Sequence, residues 1–107
     1  MSLIKGTLDV LVLKALSWGP MHGFEIASWI EQRSSGQFDV DDGALFQALQ
    51  RMETRELVTA RWGTTANNRR ARYYEMTSKG KAHLRDESKR MTTYAETLAA
   101  VLNARTA

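Results

Sequence analysis

Residues 57–76 constrain this chain most, because their apolar pattern repeats every second residue while the segments on either side repeat as helices do. Val58, Ala60 and Trp62 alternate with Thr59 and Arg61; Tyr74 and Met76 alternate with Tyr73 and Glu75. The alternation predicts strands over 57–63 and 69–76. Between them, TTANN reads as a turn, since asparagine tolerates the left-handed conformation and bonds locally to its own backbone. Trp62, Tyr74 and Met76 are expected to hold this hairpin to a core, while Tyr73 either stacks on a sugar or, the favoured reading, covers the sheet. Set among helices, it specifies a mainly α fold with a small β-hairpin.

The flanking segments carry helical spacing. Thr7–Ser17 places Leu8, Leu11, Val12, Ala15 and Leu16 on one face, with Thr7 as the expected N-cap. WGPMHG breaks the pattern: Gly19 ends the first helix and Pro20 opens the next segment. FEIASWIEQR gives a second helix to about Arg33, with Ile26, Ala27 and Ile30 inward and His22 capping or packing at its start. SSGQ is a loop, and Gln37–Val40 suits a short extended piece. Asp41 caps a third helix, about Asp41–Glu56, that buries Leu45, Ala48, Leu49 and Met52. Its other face shows Gln47, Gln50, Arg51, Thr54 and Arg55, none of which needs burial. Thr77 caps a last helix running to about Asn103. Leu84, Met91, Tyr94, Ala95, Leu98, Val101 and Leu102 form a near-heptad stripe along it. That stripe predicts packing against a second subunit, folding back on the first helix being the alternative.

The chain's 107 residues suit one domain, divided as a unit of 1–77 and a C-terminal helix of 78–107. With no cysteine, disulfides, thiolate metal sites and cysteine nucleophiles are excluded. His22 and His83 are too few for a histidine metal cage. Asp41 and Asp42 suit capping rather than acid–base work, and Ser34 and Ser35 lack a base. The expectation is therefore no enzyme, no metal and no cofactor. Lys5, Asp9 and Lys14 interrupt the N-terminal apolar run, which argues against a signal peptide. No window approaches the roughly 18 apolar residues of a membrane span, so a cytoplasmic protein is expected.

Charge is unevenly placed. Residues 1–43 hold three Lys/Arg against six Asp/Glu, whereas residues 44–90 hold eleven against five. A basic block behind an acidic front points to a polyanionic partner on one face. Three helices, a hairpin and a long helix, with the basic block on the third helix and hairpin, are laid out as a winged helix-turn-helix. In that architecture the third helix enters the major groove of double-stranded DNA and the wing reaches the flanking backbone or minor groove. Gln47, Gln50 and Arg51 have base-reading chemistry, against the alternative of a solvated helix face. Asn67, Asn68, Arg69 and Arg70 are candidate backbone contacts from the wing. Arg72 has two open readings: DNA contact, or a stem packed on the sheet.

Three segments in order, LIKGTLDVLVLKALSWGPMHGFEIASWIEQRS, DDGALFQALQRMETRELV and WGTTANNRRARYYEMTSKGKAHL, resemble the PadR family of bacterial transcriptional regulators over about residues 3–90. The resemblance implies a homodimeric DNA-binding regulator, commonly a repressor, dimerised through its C-terminal helix. It also implies that a flat or aromatic effector can bind between subunits. Ala44 and Phe46 fall in its recognition helix, Phe46 where many members have tyrosine. Gln47 replaces a frequent proline and Glu56 a frequent helix-ending glycine, while Asn67, Asn68 and Arg70 match the wing of close relatives. The expected function is sequence-specific regulation at a pseudo-palindromic operator. The rival is a winged helix that docks an acidic protein partner without specific DNA binding.

Overall fold

A computed structural model describes residues 3–4 and 6–106. Residues 1, 2, 5 and 107 lie outside the described residues; the expected domain ranges include them, and Lys5 is among them. In chain order the elements are α1 (Thr7–Leu16), β1 (Met21–His22), α2 (Gly23–Arg33), α3 (Asp42–Thr54), β2 (Val58–Thr64), β3 (Arg70–Met76) and α4 (Ser78–Leu102).

Helix ends follow local chemistry. α1 departs from expectation: Thr7 is its first helical residue, and the N-cap is Gly6, in the left-handed region at φ 88° with no side-chain cap. Glycine enters that region without a Cβ clash, so the chain turns into the helix through backbone freedom. At α2, His22 is the cap. Its Nδ1 accepts the Glu25 N–H at 3.4 Å, while the Glu25 carboxylate accepts the His22 N–H at 3.1 Å, a reciprocal capping box. Asp41 caps α3, its Oδ2 accepting the Ala44 N–H at 2.9 Å. Thr77 caps α4 through the Gly80 N–H at 3.0 Å.

The sheet has three strands, not the two of a lone hairpin, in the order β1-β3-β2 with both pairings antiparallel. Met21 pairs with Tyr74 and His22 with Tyr73, which makes β3 the central strand. Two residues are too short to show any alternation, so β1 leaves no periodic trace in the sequence. The extended piece proposed for Gln37–Val40 forms no strand; Ser34 Oγ instead accepts the Phe38 N–H at 3.1 Å and bends the loop. The hairpin turn is as read: Asn68 is left-handed at φ 60°, and its N–H donates to Thr65 O at 2.9 Å.

The core gathers the buried sides of α1, α2 and α3, with Leu84 of α4 packed against it. Val12, Leu13, Ala15 and Leu16 of α1 meet Ile26 and Ile30 of α2, Leu45, Ala48, Leu49 and Met52 of α3, and Leu57, Val58 and Tyr74. Burial raises the Tyr74 phenol above its ordinary range; the Arg72 charge beside it lowers the phenol and Glu53 raises it. Trp62 is the exception among the expected hairpin anchors. It shares the face of Val58 and Ala60 yet is 60% exposed, with the Arg70 guanidinium over its ring.

α3, the hairpin and α4 meet at Leu57. α3 ends in a Schellman motif in which the Leu57 N–H donates to Met52 O at 2.8 Å and the Glu56 N–H to Glu53 O at 3.0 Å. Glu56 takes the left-handed position at φ 63° that glycine usually fills. Gly80 lies so close to the Leu57 carbonyl that a Cβ there would stand 2.1 Å from its oxygen. The two positions give opposite expectations in thermal unfolding. Gly80→Ala should lower stability by about 2–3 kcal/mol through overpacking against a rigid carbonyl. Glu56→Gly should raise it by about 0.5–1 kcal/mol by removing left-handed strain.

Candidate nucleic-acid interface

Burial of Leu45, Ala48, Leu49 and Met52 turns the other side of α3 to solvent. That side carries Ala44, Phe46, Gln47, Gln50, Arg51, Thr54 and Arg55, all exposed. Gln47, Gln50, Arg51, Glu53, Thr54 and Arg55 line one open, shallow concavity along it. The face thus offers amide and guanidinium donors, with Phe46 (54% exposed) adding an aromatic edge.

The wing stands beside this face and is tied to it. Arg72 Nη2 donates to Glu53 Oε2 at 2.9 Å, joining β3 to α3. Neither of the two sequence readings of Arg72 named this contact, an ion pair between wing and helix. Arg51 is likewise held, its Nη2 donating to Asp9 Oδ1 of α1 at 2.8 Å. Arg70 stacks over the Trp62 ring at 4.7 Å, an arrangement worth about 0.5–1 kcal/mol at an exposed site. Asn67, Asn68 and Arg69 occupy the exposed turn, where the Arg69 N–H donates to Thr65 Oγ1 at 3.2 Å.

The two faces of the hairpin differ in use. Val58, Ala60, Trp62 and Thr64 lie opposite Met76, Tyr74, Arg72 and Arg70, so one face runs from core residues at its base to cations at its tip. On the other face Tyr73 packs over Gly63, where any Cβ would fall 2.7 Å from its ring. The Tyr73 hydroxyl donates to Thr64 O at 3.3 Å, and its ring meets His22 edge-on at 5.3 Å. Tyr73 therefore covers the sheet, as the sequence suggests. Asp9, Glu53 and the exposed Trp62 are the interface neighbours that sequence reasoning missed. Asp9 is 42 residues from Arg51, and Glu53 is 19 from Arg72, separations that no local pattern records.

α4 leaves the core after its first turns. Leu84 packs on this chain's own core, unlike the rest of the apolar stripe. Met91 is half-buried, while Tyr94 (69% exposed), Leu98, Val101 and Leu102 are uncovered. No helix among the described residues is long and apolar enough to cross a membrane. No group of three metal-ligating side chains occurs among them.

Comparison with known proteins fits this architecture. The model of the PadR-like family of transcriptional regulators matches residues 12–86. An uncharacterized protein of Lysinibacillus sphaericus is 32% identical over 82 residues, which is 77% of this chain and 75% of that one. Among solved structures, a PadR-like transcriptional regulator from Bacillus cereus superposes with a TM-score of 0.80 at 21% identity, covering 94% of this chain and 96% of its own. A PadR family transcription regulator from Clostridium difficile superposes at 0.77 with 25% identity, over 92% and 100%. Bacillus subtilis PadR, solved in complex with operator DNA, superposes at 0.68 with 19% identity over 78% of this chain and 47% of that one. With three helices, a wing clamped beside the third and a family model spanning most of the chain, the protein belongs to the PadR-like family of transcriptional regulators, a family of regulators and not of enzymes.

Proposed function

We propose that this chain is a cytoplasmic, homodimeric, sequence-specific DNA-binding repressor that acts on a pseudo-palindromic operator. The observation that carries the reading is the uncovered polar face of α3 with an arginine-bearing wing held on the same side by the Arg72–Glu53 pair. An α-helix fills the major groove of B-DNA, whose base edges present donors and acceptors to amides and guanidinium groups. Gln47, Gln50 and Arg51 supply those groups, with Ala44 and Phe46 as the apolar contacts. Asn67, Asn68, Arg69 and Arg70 lie at the wing, where cations gain affinity by releasing counterions from phosphates. The operator complex of the similar Bacillus subtilis PadR supports the same mode here.

Homodimerisation is supported by the uncovered stripe Tyr94, Leu98, Val101 and Leu102 on α4, with Ala95 and Met91 on its margin. An isologous pairing of that stripe relates two recognition helices by a two-fold axis, with half-sites about 10 bp apart or at a multiple of it. The family resemblance adds an aromatic effector held between the subunits.

A duplex selected from a random library should bind far more tightly than a scrambled duplex at about physiological salt. Uniformly weak binding that salt abolishes would favour the protein-docking alternative. Arg69→Ala with Arg70→Ala should weaken binding to every sequence and flatten the salt dependence by up to about 2 in the log–log slope. Gln47→Ala should instead relax preference at particular base pairs, at about 1–3 kcal/mol of discrimination. Light scattering at micromolar concentration should give twice the monomer mass, and Leu98→Glu should halve it. A monomeric mass for the unaltered protein would remove the pairing of α4.

A further inference from the structure

The arginines of the interface fall into two electrostatic classes. Arg55, Arg69 and Arg70 are in no ion pair among the described residues. Arg51 and Arg72 each have a carboxylate at hydrogen-bond distance, Asp9 Oδ1 at 2.8 Å and Glu53 Oε2 at 2.9 Å. The pairs are oriented alike. The acid is the more covered partner: the Asp9 side chain is 18% exposed against 56% for Arg51, and that of Glu53 is 34% against 42% for Arg72. Each carboxylate bonds a single guanidinium nitrogen, Nη2, and both arginine side chains stay largely exposed.

From this geometry we propose that Asp9 and Glu53 are specificity-determining residues for DNA recognition; the inference rests on the DNA-binding reading above. Two terms of DNA affinity respond differently to a paired arginine. Attraction to phosphate scales with net cation number and carries no sequence information. Hydrogen bonding to a base edge is directional and depends on where the N–H groups point. A carboxylate beside the guanidinium cancels most of the first term. It uses one of five N–H donors and holds the others in a fixed fork, which preserves the second term. Arg51 and Arg72 then contribute little to binding arbitrary DNA, while the unpaired Arg55, Arg69 and Arg70 supply the general attraction. Asp9 and Glu53 act through the arginines they hold; they are positioning residues and make no DNA contact of their own.

The test compares the full-length protein with Asp9→Asn and Glu53→Gln on two probes, the library-selected duplex and a scrambled duplex of the same composition, across a salt series. Both substitutions keep the shape and the hydrogen-bond acceptor while removing the charge. Each should tighten binding to the scrambled duplex about three- to tenfold at roughly 0.1 M salt and steepen its log–log salt slope by up to about 0.9. Affinity for the selected duplex should rise less, so the ratio between probes falls. On an Arg51→Gln background, Asp9→Asn should have no further effect. Unchanged scrambled-duplex affinity and slope, equal tightening on both probes, or an Asp9 effect that survives loss of Arg51 would each overturn the proposal. If Asp9→Asn fails to fold by circular dichroism, Glu53→Gln at its more exposed site decides alone. Unaltered protein that binds both probes equally would overturn the DNA-binding reading itself, before any variant is compared.

Discussion

The backbone carbonyl of Leu57 sets where the functional elements sit. It accepts the Thr77 N–H at 3.0 Å, and Gly80 packs directly against it. One residue earlier, the Glu56 carbonyl accepts the Thr77 hydroxyl at 2.7 Å, and the Leu57 N–H closes the end of α3 on Met52. Residues 52–57 and 76–80 thus join four element ends in one place: the close of α3, the start of β2, the end of β3 and the start of α4. Leu57 and Met52 are fully buried beneath this junction. The wing is thus tied to α3 at two places, at its base by the junction and farther along by Arg72 and Glu53.

The parts of this arrangement that were legible in the sequence are those written in local chemistry. Asp41, Thr77 and the asparagine-bearing turn each announce themselves by residue type at a position where one backbone conformation needs it. The buried faces of α2 and α3 follow from spacing alone. What was not legible was either too short or too distant. β1 has two residues, and α1 is entered through Gly6, a choice between adjacent caps that composition does not decide. Burial on α1 reaches Val10 and Leu13 beyond the stripe that spacing marks, because that helix is surrounded by the others. The part Gly80 plays was not legible either: its lack of a side chain is what admits the Leu57 carbonyl, 23 residues away in sequence. Among the candidate site residues, the exposed positions on α3 were legible because a helix with one buried face must expose the other. The carboxylate partners of Arg51 and Arg72 were not, since tertiary packing alone brings them near.

Trp62 shows how the same alternation changes meaning along one strand. A strand rises about 3.3 Å per residue, so seven residues extend some 23 Å, about twice the diameter of a helix. Along the inward face of the hairpin, burial falls from Val58 at the base to Trp62 and Thr64 toward the tip. Period-two patterning identifies a face, and the length of the element decides how much of that face has anything to pack on. At the base the face holds Val58, Tyr74 and Met76; at the tip it holds Trp62 with Arg70. Where the core ends, an aromatic on the inward face serves as a platform for a cation. The density of arginine near the turn follows from the same geometry, since charged groups there remain hydrated.

The same reasoning reaches α4. At 1.5 Å per residue its 25 residues span about 37 Å, yet among the described residues only Leu84, near its N-terminal end, packs on the hydrophobic core. Beyond Met91 the apolar positions Tyr94, Leu98, Val101 and Leu102 continue the helical stripe into solvent. A helix keeps its order in water chiefly by packing an apolar face, which makes a covering surface part of what this element requires. Its other end is locked, through Gly80 and Thr77, to the residues that terminate α3. In the proposed dimer, the contact that covers the stripe therefore also fixes the separation and angle of the two recognition helices. Half-site spacing is then a consequence of helix length and of one glycine–carbonyl contact, with no further element needed to measure it.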